Sequence, residues 1–257
     1  MEAALELRDV RKRFGQAEVV RGINLNIKKG ERHALIGPNG AGKSTTFNLI
    51  SGRFAPTTGT IKLHGREIGG LQPFAINHLG LARSFQITNI FPRMSVFDNL
   101  RCAVLWSLGY KYSLWRQLDK LRDARDRAQE VLVLIGLAQR SETLAGTLAY
   151  AEQRALEIGL TIVSGADVIL LDEPTAGMSR SESDHAVELI RKVTAGKTLV
   201  MVEHDMSVVF GVADRISVLV YGEVIATGAP EAIRDNQRVR EAYLGTTLDK
   251  TATAKGR

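Results

Sequence analysis

The run Gly37-Pro38-Asn39-Gly40-Ala41-Gly42-Lys43-Ser44 constrains the fold of this chain more than any other segment, because it fits the pattern G-x-x-x-x-G-K-S. Ala34-Leu35-Ile36 before it reads as a strand, and Thr45 to Ile50 after it reads as a helix ended by Gly52. A strand, a glycine-rich turn and a helix in that order turn consecutive backbone N–H groups and a positive helix end toward phosphate oxygens. Lys43 is suited to neutralise the β- and γ-phosphates of a nucleotide, and the Ser44 hydroxyl to ligate Mg²⁺. The expectation is a phosphate-binding α/β core.

The rest of the chain is consistent with one unit of that kind. Its 257 residues, 44% of them apolar, can bury a large core. No run of about 18 apolar residues is present, so no segment reads as a membrane span. Met1-Glu2-Ala3-Ala4-Leu5-Glu6 lacks the basic-then-apolar layout of a signal peptide. Cys102 is the sole cysteine, which excludes an internal disulfide and a cysteine-based metal cluster and fits a reducing cytoplasm. The formal charge of +6 comes from 34 basic residues interspersed among 28 acidic ones. The clearest basic cluster, Arg11-Lys12-Arg13, is short. A solvated surface accounts for that charge as well as an anionic partner does.

Strand and helix signals alternate along the chain. Ile23-Asn24-Leu25-Asn26-Ile27 alternates as a strand into a turn at Lys28-Lys29-Gly30, and Thr57-Thr58-Gly59 reads as a turn into a hairpin spanning Thr60 to Gly65. From Ser95 to Gly165 the texture is helical. Ser95 and Asp98 have capping-box spacing, and Leu121, Ala124, Ala128, Val131, Leu132 and Ile135 recur at helical intervals. A further helix is expected from near Tyr150 to Gly165. Trp106, Tyr110, Tyr112 and Trp115 cluster with Lys111 and Arg116, as packing within this insertion or as a membrane-interface contact. Val168 to Leu171 and Thr198 to Val202 are continuous apolar runs, as expected of strands covered on both faces, with a helix over Ser181 to Val193 between them. Ile216 to Val220 and Val224 to Ala226 bracket Tyr221-Gly222-Glu223 as a late hairpin. Thr246 to Arg257 is polar and small, and is expected to be disordered.

The second chemical motif is Asp172-Glu173-Pro174, at the end of the first buried run. Such a strand delivers its terminal carboxylates to the edge where α/β sheets bind ligands. Asp172 is suited to hold Mg²⁺ through water, and Glu173 to polarise a water that attacks a γ-phosphate.

With both motifs in place, the chain resembles the ATP-binding subunits of ATP-binding cassette (ABC) transporters over nearly its whole length. Gly37 to Ser44 matches the Walker A motif, Gln86 the glutamine loop, Val168 to Asp172 the Walker B motif, Glu173 the catalytic base and His204 the switch histidine. Phe14 stands where the family stacks an aromatic ring on adenine, and Thr45 follows the loop. The resemblance implies an α/β fold of the P-loop NTPase, ABC ATPase type: a mixed, mainly parallel sheet with an antiparallel β subdomain and a helical insertion. Residues 1–245 would form one domain, with antiparallel β and core elements in 1–86, the insertion in about 87–165 and the remaining core in 166–245. It also implies ATP and Mg²⁺ as cofactors, the metal held by Ser44, Gln86 and Asp172. Two such subunits would sandwich two ATP molecules, each lending a signature segment to the other. Here that segment is Leu148-Ala149-Tyr150-Ala151-Glu152-Gln153, at a helix start.

The segment departs from the usual L-S-G-G-Q: Ala149 lacks a hydroxyl, and Ala151 carries a methyl group where glycine allows close approach. Ser179 likewise replaces an Asp or Asn after Thr175-Ala176-Gly177-Met178. The expected consequence is a chain that hydrolyses ATP but caps its partner's site weakly. Arg83 to Phe91, Met94 to Leu100 and the ending Glu241-Ala242-Tyr243-Leu244-Gly245 look like the branched-chain amino acid importer subgroup. That subgroup implies an ATPase at the cytoplasmic face of the inner membrane. Its partners would be a second nucleotide-binding subunit, a paralogue or a second copy, together with membrane permeases and, indirectly, a periplasmic binding protein. No nucleic-acid partner is implied. A soluble non-transport ABC ATPase and a nucleotide-gated subunit with weak hydrolysis are the alternative readings.

Overall fold

A computed structural model describes residues 2–84, 90–107 and 121–242. In chain order the elements begin with β1 (Ala3–Phe14), β2 (Ala17–Lys28), β3 (Arg32–Ile36), α1 (Lys43–Ile50), β4 (Thr58–Leu63), β5 (Arg66–Glu67) and α2 (Pro73–His78). There follow β6 (Leu81–Arg83), α3 (Val96–Ser107), α4 (Arg122–Leu134), α5 (Tyr150–Ile162), β7 (Val168–Asp172) and α6 (Arg180–Val193). The last are β8 (Thr198–Val202), α7 (Met206–Val212), β9 (Arg215–Val220), β10 (Glu223–Gly228) and α8 (Pro230–Arg234). They group into two compact units, one built from residues up to 76 together with those from 198 on, the other from residues 77–197.

In the first unit β2, β1, β4 and β5 make an antiparallel sheet in that order. Leu5, Leu7, Val20, Ile23, Ile27, Ile61 and Leu63 are buried on it. Strand β4 starts earlier than its composition suggests. Thr58 and Gly59, read above as turn residues, lie inside it, with Thr58 opposite Arg11 and Thr60 opposite Arg8. A methyl group on Gly59 would sit 2.3 Å from the Asp9 carbonyl oxygen, so the glycine marks a close backbone approach within a strand.

The same unit holds β8, β3 and β9 side by side and parallel, with β10 returning antiparallel on β9. Strand β8 is buried at every residue and β3 at all but its first, the signature of strands covered on both faces. Polar residues sit in that packing too, among them Glu31, His33, Thr198 and Ser217. His33, 1% exposed, places Nδ1 2.7 Å from Glu31 Oε1 and Nε2 2.9 Å from Ser217 Oγ.

In the second unit β6 pairs parallel with β7, and α3, α4 and α5 pack together. The helical spacing read from the sequence faces inward: Leu121, Ala124, Ala128, Val131, Leu132 and Ile135 are all buried. Ser95 accepts the Asp98 N–H at 3.0 Å at the start of α3. Helix α6 opens on a reciprocal cap, in which Ser179 and Glu182 bond each other's backbone N–H groups at 2.8 and 3.4 Å. The aromatic cluster from Tyr110 to Arg116 and the tail from Tyr243 lie outside the described residues, and of Trp106 only the backbone is described.

Candidate functional site

The phosphate loop belongs to the first unit. Strand β3 delivers the chain into Gly37, where a Cβ would lie 2.0 Å from the Leu219 carbonyl oxygen of β9. Only a hydrogen fits there. The Ala41 N–H closes the turn on the Pro38 carbonyl at 3.2 Å, and the Ala41 carbonyl accepts the Gly222 N–H at 2.9 Å. Gly222 in turn accepts the Arg21 N–H at 2.9 Å, so the β9–β10 turn and β2 brace the loop from outside. Pro38 is half-buried, and Asn39 and Gly40 are exposed at the tip. Gly42 caps α1.

Lys43 is 6% exposed and its ammonium donates to the carbonyls of Gly37 at 2.7 Å and Pro38 at 3.1 Å. The loop therefore holds a cation over its own centre on neutral carbonyl oxygens. A phosphate oxygen is the stronger partner for that cation, since it carries formal negative charge where a carbonyl oxygen carries only a partial one. Ser44 is exposed on the first turn of α1 and Thr45 is half-buried, while Thr46 turns inward to bond the Gly42 carbonyl at 2.9 Å.

Two further residues of this unit were expected near a nucleotide. Phe14, at the end of β1, is 43% exposed, with Phe54 packed edge-on at 5.3 Å and the Lys12 ammonium 5.1 Å from its centroid. It is an aromatic platform held in place by an edge-on ring and a cation. His204 follows β8 and is exposed; its N–H donates to the buried Glu203 carboxylate at 2.9 Å. Because β3 and β8 run parallel as neighbours, the phosphate loop and His204 leave the sheet at the same edge.

The second unit carries the acidic motif and the signature segment. Strand β7 is buried throughout and ends in Asp172, 2% exposed. Arg83 from β6 donates to Asp172 Oδ2 at 2.8 Å, whereas Asp172 Oδ1 has no hydrogen-bond partner among the described residues. Glu173 comes next with φ of +49°. A non-glycine residue held there costs about 1–3 kcal/mol and persists only where its surroundings fix it. The Ala176 N–H closes the following turn on the Glu173 carbonyl at 3.1 Å.

Ala149 caps α5. Glu152 accepts its N–H at 3.0 Å, but alanine offers no side-chain acceptor in return, so the cap is one-sided. Ala151 is half-buried on the first turn, and Gln153 ties Nε2 to the Leu148 carbonyl at 3.0 Å. The Tyr150 hydroxyl donates to the Ala176 carbonyl at 2.7 Å. Gln86 lies outside the described residues.

Three roles escaped the reading of the sequence. Arg83 gives no local signal, because its partner lies on a neighbouring strand far along the chain. Ser179 was legible: S-x-x-E ahead of a helical pattern is a capping box, which explains the residue without reference to a nucleotide. Asn99, 0% exposed, bonds Phe91 through both its carbonyl (2.7 Å) and its amide (3.1 Å) and so staples the segment ahead of α3.

Comparison with known proteins agrees with this geometry. The ABC transporter family model matches residues 20–176, and a model described as branched-chain amino acid ATP-binding cassette transporter matches residues 223–249. The chain is 38% identical over 250 residues to the high-affinity branched-chain amino acid transport ATP-binding protein BraF of Pseudomonas aeruginosa, covering 94% of this chain and 97% of BraF. It is 39% identical over 242 residues to LivG of Escherichia coli, a protein of the same description, covering 91% of this chain and 94% of LivG. Among solved structures, the ADP conformation of MJ1267, an ATP-binding cassette of an ABC transporter, superposes with a TM-score of 0.83 at 26% identity over 95% of this chain and 99% of that one. A strand-borne phosphate loop, a buried strand ending in Asp-Glu and relatives matched nearly end to end lead to one assignment: the chain belongs to the ATP-binding proteins of the ABC transporter family.

Proposed function

We propose that this chain is the ATP-hydrolysing subunit that powers import of branched-chain or related amino acids through a membrane permease. The observation that carries the reading is the phosphate loop, braced by the β9–β10 turn and holding Lys43 over its centre. The names of BraF and LivG, and the match of residues 223–249 to the branched-chain model, support the substrate class. No residue of this chain is assigned to the amino acid itself.

Each proposed role has support within its own unit. The exposed Ser44 hydroxyl and the open Asp172 Oδ1 are oxygen donors of the kind Mg²⁺ takes, directly or through water. The ion, when bound, would neutralise charge on the phosphates. Glu173 is the proposed base that primes the attacking water, and its left-handed backbone marks it as a residue whose direction the fold constrains. His204 is proposed to meet the γ-phosphate and Phe14 the adenine ring, with Gln86 assigned by resemblance alone. Ala149 to Gln153, at the start of a helix, are proposed to face the nucleotide of a second subunit, a paralogue or another copy.

Residues 1–245 act in this reading as one cassette beneath membrane permeases fed by a periplasmic binding protein, at the cytoplasmic face of the inner membrane. Among the described residues no helix is long and apolar enough to cross a membrane, so the permease would supply the path. The test is the complex purified with its membrane partners. Glu173→Gln should keep MgATP binding and stop turnover, and Lys43→Ala should lose binding; sustained hydrolysis by the Glu173 variant refutes the assignment of the base.

A further inference from the structure

We infer that the Tyr150 phenol is a positioning residue for Glu173, holding the turn on which the proposed base is mounted. The inference rests on the role of Glu173 proposed above. Tyr150 opens α5, in the segment where the usual signature carries small residues. Its hydroxyl donates to the Ala176 carbonyl at 2.7 Å and accepts from Arg154 Nε at 3.1 Å. Arginine can only donate, so the phenol's own proton is committed to Ala176.

The donor behind it is fixed in turn. Arg154 lies 5.3 Å from the Tyr150 ring centroid and bonds Glu157 Oε2 at 2.8 Å, with side chains only 12% and 9% exposed. A hydrogen-bonded row therefore runs from Glu157 through Arg154 and Tyr150 to the turn after β7.

That turn carries two backbone bonds of its own, from the Ala176 N–H to the Glu173 carbonyl and from the Met178 N–H to the Thr175 carbonyl, both at 3.1 Å. Ala176 gives its N–H to the Glu173 carbonyl at 3.1 Å and its carbonyl to Tyr150, so the phenol closes the second end of the same peptide segment. A methyl group built on Gly177 would lie 3.2 Å from the Tyr150 hydroxyl, which puts the phenol in packing contact with the turn as well. Glu173 sits at φ +49°, a conformation that relaxes unless neighbours enforce it. Among the described residues, Tyr150 is the side chain from outside the turn that grips it at Ala176. Removing the hydroxyl leaves the Ala176 carbonyl without that donor and lets the Glu173 backbone leave the left-handed region.

The experiment is Tyr150→Phe in the full transporter complex, which keeps the ring and its stacking on Arg154 and deletes the donor. Three quantities are measured: kcat for ATP, Kd for MgATP, and backbone hydrogen exchange across residues 173–179. The expected result is a kcat lowered about three- to tenfold, the range of one neutral hydrogen bond, with exchange accelerated, while Kd reports separately any contact of Tyr150 with a facing subunit's nucleotide. Unchanged exchange overturns the inference whatever happens to kcat, because the phenol then acts elsewhere. Faster exchange with unchanged kcat also overturns it, because the turn then does not position the base. Should Glu173→Gln still turn over, the functional reading fails by itself, while the exchange measurement continues to report whether Tyr150 holds the turn.

Discussion

Arg83→Met should be among the most destabilising single changes in the second unit, although Arg83 belongs to neither the phosphate loop nor the acidic motif. Its guanidinium is bonded to Asp172 Oδ2 at 2.8 Å, and the two side chains are 10% and 0% exposed. Removing one member of a buried pair strands the other charge in a medium that cannot solvate it, at a cost of about 3–5 kcal/mol. Folded domains hold only about 5–15 kcal/mol in total, so the loss is a large part of the margin. Replacing both members, Arg83→Met with Asp172→Leu, removes the stranded charge and should restore most of that stability. Urea unfolding followed by circular dichroism measures the effect as a fall in midpoint at constant slope. A single variant within about 1 kcal/mol of the parent would refute the argument. So would a double variant as unstable as the single one, because the cost would then lie in lost packing and not in the stranded carboxylate.

Gly37→Ala should abolish MgATP binding in calorimetry and lower the melting temperature, since its methyl group would meet the Leu219 carbonyl at 2.0 Å with backbone on both sides. Asn99→Asp should cost about 1–3 kcal/mol for each group it strands, because it puts a carboxylate against the carbonyls of Phe91 and Ser95. Thermal unfolding and limited proteolysis ahead of α3 would show it. Burial works against the Glu31 charge, yet the hydrogen bond and electrostatic interaction with His33, the Lys28 N–H and the charge of Arg215 together outweigh it and hold the carboxyl below its ordinary value of 4.5. Its stabilising contribution is then complete above that value and lost as pH falls through the depressed one, so Glu31→Gln should flatten the acid limb of the stability curve.

The elements most legible in the sequence are those whose signal is local and whose surroundings are uniform. Val168 to Leu171 and Thr198 to Val202 read as two-faced strands because both of their faces are buried, and the apolar spacing around α4 reads directly because one side of it packs. The phosphate loop reads for a different reason, its chemistry being carried by consecutive backbone groups. Gly59 misled because glycine marks both turns and close backbone approaches, and only the neighbouring Asp9 carbonyl decides between them. The Arg83–Asp172 pair, the backbone of Glu173 and the reach of Tyr150 to Ala176 were hidden for a shared reason. Each depends on which distant residue the fold brings alongside, and nothing in its own neighbours in sequence records that.

The wall of the phosphate loop is made late. Gly37 abuts Leu219, and the Ala41 carbonyl is held by Gly222, so the earliest-made residues of the proposed nucleotide site wait for strands made after residues 77–197 have emerged. On a ribosome the nascent chain would carry its lysine and glycines unbraced through most of translation, while the intervening unit is free to collapse first. Closing the discontinuous unit then joins two ends across that long excursion, a penalty that grows only with the logarithm of its length. Nucleotide capture would thus serve as a completion signal, arriving only when the final hairpin has docked.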